Sequence, residues 1–123
     1  MIAEDYVSFE VAKLLKEKGF DEPLRCWYDN FQDFHEEGVR MSNSDCLPPT
    51  IMCPTHQMAI KWLREEKRTS IIIEFDLTKR GYCPYVHQLD YDADWVVKWR
   101  VNTPMKYEEA VEAALKYALE NLI

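Results

Sequence analysis

The stretch from Ser70 to Val101 constrains this chain most. It reads as three strand-like runs rich in Ile, Val, Tyr and Trp: Ser70 to Leu77, Tyr82 to Leu89 and Trp95 to Val101. Short breaks separate them, Lys79-Arg80-Gly81 and the Asp-rich segment from Asp90 to Asp94. Sequential strands with connections this short form an antiparallel meander. Alternation puts Ile71, Ile73, Phe75 and Leu77 on one face of the first run, and Trp95, Val97, Trp99 and Val101 on one face of the last. Faces of this kind need a cover.

A helix from Met105 or Lys106 to Asn121 supplies one, with Tyr107, Val111, Leu115, Ala118, Leu119 and Leu122 at helical spacing. Glu108, Glu109 and Glu112 in its first half and Lys116 later suit the helix dipole, and Glu112 with Lys116 makes an i, i+4 pair. Two helices precede the meander. Ser8 caps the run Phe9 to Lys18, whose Val11, Leu14 and Leu15 share a face; Gly19 ends it, and Phe20 folds back toward Leu15. Thr55, after Pro54, caps a second helix with Met58, Ala59, Trp62 and Leu63 as its buried stripe and Gln57, Lys61, Arg64 and Glu65 opposite.

Between these helices, Leu24 to Tyr28 reads as a short strand. From Asp29 to Pro54 the pattern dissolves into Asn, Asp, Ser and the pair Pro48-Pro49, with one short extended piece around Val39 to Met41. This segment is expected to be a long, mobile loop. The fold class that follows is α+β: a mainly antiparallel sheet of three strands, or four with the early strand, packed against three helices. The order is α, β, long loop, α, β, β, β, α, in one domain spanning residues 1–123.

The 123-residue length suffices for a core without staples. No apolar run approaches the ~20 residues of a membrane span. The start Met1-Ile2-Ala3-Glu4-Asp5 has neither the basic residues nor the apolar stretch of a secretory signal, so a cytoplasmic location is expected. On that expectation Cys26, Cys46, Cys53 and Cys83 are reduced thiols. The net charge is −7, and residues 1–50 carry eleven acidic against five basic side chains. Such a surface repels phosphate backbones at long range, which argues against general nucleic-acid binding.

Three blocks carry a family resemblance: Tyr6 to Phe20; the Pro54-Thr55 start leading into Lys61-Trp62-Leu63-Arg64-Glu65; and Tyr107-Glu108-Glu109-Ala110. In them the chain resembles a family of small uncharacterised proteins common in gut Bacteroides genomes and their prophages. The blocks consist of caps and core stripes, so the resemblance implies kinship and carries over no catalytic residue.

Several constellations invite a chemical reading. Cys53, His56, Cys83 and His87 make a zinc-like inventory. Yet residues four apart on a strand lie ~13 Å apart, so Cys83 and His87 converge only if Pro84 kinks the chain. Buried thiols and partly exposed histidines are the plainer reading. Asp90, Asp92 and Asp94 imitate the first half of a calcium loop, but Trp95 and Val101 stand where that loop needs Gly and Glu. Cys53 with His56, at the start of the second helix, is the least weak candidate for a nucleophile and its base. Lys61, Arg64, Lys67, Arg68, Lys98 and Arg100, with Trp27, Tyr82 and Tyr85, could form a basic and aromatic strip for a single strand. Pairing with Glu65, Glu66, Glu74 and Asp76 on a solvated surface is the plainer account.

On balance no catalytic, metal or cofactor residue is assigned. A non-catalytic protein-interaction or accessory module of a mobile element or prophage is expected, with a protein partner and with a homo-oligomer left open. The alternatives are a nucleic-acid-associated protein using the basic strip, and a small thiol or metal enzyme.

Overall fold

The computed structural model describes residues 3–36, 38–90, 92 and 94–123. Its architecture is α+β, with three helices and two three-stranded antiparallel sheets among the described residues. The chain divides into two compact units, Met1–Ala59 and Ile60–Ile123.

In the first unit, helix α1 (Phe9–Glu17) starts where expected. The Ser8 hydroxyl accepts a hydrogen bond from the Val11 amide at 3.2 Å. It stops at Gly19, whose φ of +96° is a left-handed conformation that costs a residue without a Cβ nothing. The Phe20 amide then donates to the Leu15 carbonyl at 2.9 Å, and both side chains are buried with Val11 and Ala12. Strands β1 (Trp27–Tyr28), β2 (Phe34–His35) and β3 (Ile51–Met52) form a small sheet in the order β2-β1-β3, and α1 lies against β3.

The segment from 29 to 54 therefore differs from the structureless loop that its composition suggested. It contributes two of the three strands, an antiparallel bridge from Met41 to Leu24, and the buried residues Ser42, Asn43, Cys46, Ile51 and Met52. Asn43 explains much of this order. Its side-chain amide donates to the Phe20 carbonyl at 2.8 Å and its oxygen accepts from the Met52 amide at 3.0 Å, so one buried residue ties α1's exit to β3.

Helix α2 (His56–Lys67) runs from the first unit into the second, its start fixed by the Thr55 hydroxyl accepting from the Met58 amide at 3.1 Å. Ala59, Trp62 and Leu63 are buried as the stripe requires, whereas Met58, in the first turn beside the cap, faces solvent.

Strands β4 (Thr69–Asp76), β5 (Gly81–Leu89) and β6 (Trp95–Arg100) form the expected meander, and α3 (Tyr107–Asn121) covers one face of it. The register identifies that face. Residues directly opposite each other share a side, which groups Ile71 with Val86 and Trp99, Ile73 with Pro84, and Phe75 with Tyr82. Val86 is fully buried, Trp99 stacks on Tyr117 of α3 at 4.8 Å, and the Gln88 amide donates to the Leu122 carbonyl at 3.1 Å. Pro84 is tolerated in the middle strand because its carbonyl, which accepts from the Val101 amide at 3.0 Å, faces β6 just beyond the last paired residue, Arg100. Its missing N–H falls opposite Val101, just past the end of β6 and before pairing resumes at the Tyr82–Met105 bridge.

One expectation of the alternation fails. The register shifts between Val86 and His87: Val86 faces Trp99 but His87 faces Val97, which leaves Lys98 as an extra residue on β6. This bulge turns Trp95 and Val97 to the side of Leu89 and His87, opposite to Trp99. Phe75 and Leu77 are also exposed, the first near the end of β4 and the second past it.

Candidate functional site

In the first unit, β1 and β2 bring together residues that had no common signal in the sequence. The Asp29 side chain organises the turn between them. One carboxylate oxygen accepts from the Phe31 amide at 2.8 Å and the Asp33 amide at 3.0 Å; the other meets His35 Nε2 at 2.8 Å. The His35 bond first, and the amides after it, hold the Asp29 carboxyl below its ordinary range. The His35 ring stacks on Trp27 at 4.1 Å, and Phe34 packs against Tyr6 at 4.8 Å. The Tyr6 phenol is pushed up to about 12, chiefly by its hydrogen bond with Cys26, then by burial and the nearby Glu36 and Glu4. A shallow cleft of about 510 Å³ lies over Trp27, Phe34, His35 and Glu36. Asp29 and His35 are spent on turn amides, each other and a ring stack, so the cluster secures a tight corner.

The Cys53 and His56 pair sits in the same unit and is sealed. The Cys53 thiol is 1% exposed and donates toward the Val7 carbonyl at 3.4 Å; His56 is buried, and its backbone amide donates to the Asp5 carbonyl at 2.8 Å. A nucleophile so enclosed offers a substrate no line of approach. In the second unit, Cys83 and His87 lie half-buried on the face of β5 that α3 does not cover, with Tyr85 between them, on a strand that Pro84 does not break. The geometry leaves these two donors apart, and no group of three or more His, Cys, Asp or Glu side chains suited to a metal ion occurs among the described residues.

Asp90 acts as a turn residue. Its carboxylate accepts from the amides of Asp92 and Asp94, both at 3.0 Å, the hydrogen bonding of an Asx turn. The basic residues are partly engaged: Arg64 lies 3.7 Å from Glu65, the Lys67 ammonium stands 5.5 Å from the Trp62 ring, and the Arg100 guanidinium covers Tyr85 at 4.6 Å. Trp27 is taken up by His35, and Tyr82 lies between Phe75 and Tyr107 at 5.1 and 5.2 Å.

The strongest departure from an inert surface is β6. Trp95 is 47% exposed and Val97 50%, and both lie on the face that α3 does not cover. Val96, on the other face, is exposed as well. β6 is also an edge of its sheet. A large indole and two valines are thus presented consecutively on a strand with one side unpaired, flanked by Asp94 before them and by Lys98 and Arg100 after. The sequence displayed all of these residues but not the bulge that exposes them.

No protein-family model, curated protein or solved structure matches this chain.

Proposed function

We propose that this chain is a non-catalytic protein-interaction module working through the β6 side of its second sheet. The observation that carries this reading is the consecutive exposure of Trp95, Val96 and Val97 on an edge strand. Trp95 and Val97 lie side by side on one face, and exposed apolar side chains on an unpaired edge with a polar rim mark a contact site. The three acidic side chains Asp90, Asp92 and Asp94 beside it favour a protein partner over a phosphate backbone. No helix among the described residues is long and apolar enough to cross a membrane. The family resemblance supports an accessory role in a mobile element or prophage, within the cytoplasm of the host.

A tagged full-length chain and its Val97→Lys variant, recovered natively from the source cell, test this reading. The wild type should retain a protein that the variant loses, both without stoichiometric nucleic acid. Identical recoveries from the two, or recovery of nucleic acid that nuclease treatment removes together with the partner, would sink it.

A further inference from the structure

We infer that the partner for β6 is a second copy of this chain, joined edge to edge in an antiparallel β6–β6 pair about a two-fold axis at Val96. The inference rests on the interaction reading above and specifies its occupant. β6 is self-complementary in charge: Asp94 precedes the exposed apolar residues, and Lys98 and Arg100 follow them. An antiparallel pair sets the start of one strand beside the end of the other, so acidic meets basic at both ends; a parallel pair would set like charges side by side.

Register follows from the bulge. With Val96 on the axis, Trp95 of each copy faces Val97 of the other, and both side chains project on the same, uncovered face of the sheet. Asp94 then faces Lys98 at each end. Shifting the axis to Val97 would oppose Trp95 to Trp99, which the bulge places on opposite faces, and shifting it to Trp95 would oppose Asp94 to Val96. The other edge strand, β4, carries Glu74 and Asp76 and no basic side chain, so it has no such match with itself. β6 thus pairs aromatic with β-branched and acid with base in a single arrangement, the combination that stabilises cross-strand neighbours.

The contact is small, which places its dissociation constant in the range where small interfaces bind, roughly 1 µM to 1 mM. Size exclusion with light scattering across that range on the full chain should show a mass rising from one chain to two. Asp94→Lys and Lys98→Asp, each removing two ion pairs and opposing like charges, should each weaken dimerisation at least about tenfold. The double variant should recover most of the wild-type affinity, a result that misfolding of either single variant cannot mimic. A one-chain mass throughout, a dimer indifferent to the single changes, or a double variant no better than the singles would overturn the proposal. If the chain is monomeric yet Val97→Lys still loses a captured protein, the second copy is excluded while the interaction reading stands. A monomer that loses nothing with that substitution excludes both.

Discussion

Asp29 shows how much one exposed carboxylate can organise. It accepts two turn amides and the His35 imidazole, and its carboxyl titrates below the ordinary 3.8 because those bonds favour the ionised form. A carboxyl with a lowered folded value binds its proton more readily when unfolded. Its stabilisation is therefore complete above pH ~4 and is lost as pH falls through the folded value. Asp21, held down by Ser44, adds to the same acid limb. Asp29→Asn should accordingly flatten the loss of stability below pH 4, read as thermal midpoints at a series of pH values; an acid limb as steep as wild type would show that the His35 bond contributes nothing. Asn43 is the buried counterpart. Asn43→Ala leaves the Phe20 carbonyl and the Met52 amide without their partner, and should cost about 1–3 kcal/mol in a denaturant titration. Neither role was legible in the sequence. Asn and Asp mark turns locally, but the partners of Asn43 lie 23 and 9 residues away, and composition is silent on contacts made across such distances.

At the scale of elements, the signals that proved readable were local ones. Ser8, Gly19 and Thr55 delimit helices through hydrogen bonds within a few residues, and the three long strands follow from runs of apolar and β-branched side chains closed by turn formers. β1 lies within the run Leu24 to Tyr28 that the sequence marks as a strand, whereas β2 and β3, of two residues each, are too short for any periodicity and exist because distant segments pair. The bulge at Lys98 is equally silent, since no Gly marks it and the apolar alternation runs through it unbroken. Its consequence is measurable. Trp99 stacks on Tyr117 while Trp95 stands in solvent. Trp99→Ala should thus lower stability by about 2 kcal/mol, from lost burial and ring contact. Trp95→Ala, measured at submicromolar concentration where β6 is unpaired, should stay within about 0.5 kcal/mol of wild type. Equal losses would mean that the strand keeps its alternation and has no bulge.

For the whole molecule, the division at Ala59 and Ile60 left no trace in the sequence because no linker marks it; α2 passes through it as one helix. Units of this size are marginal alone, since a ~60-residue domain buries only about 60% of the surface its unfolded chain exposes. The helix they share has its first turn bonded within the first unit, through His56 to Asp5 and Met58 to Thr55, while its buried Trp62 and Leu63 belong to the second. Because one helix continues across the boundary, the chain is expected to melt in a single transition. Trp62 is the residue on which to test this. Truncating a buried indole typically costs ~3–5 kcal/mol, a large share of the ~5–15 kcal/mol that holds a small protein together. Trp62→Ala should shift the denaturant midpoint strongly downward. The shift should be the same whether followed by the His35 resonances of the first unit or by near-ultraviolet signals from the Trp99–Tyr117 stack of the second. Trp27→Ala, which removes a half-buried indole stacked on one imidazole, should move both by less. If Trp62→Ala unfolds the Trp99–Tyr117 stack while the His35 signals persist to the wild-type midpoint, the units are energetically independent and α2 does not couple them.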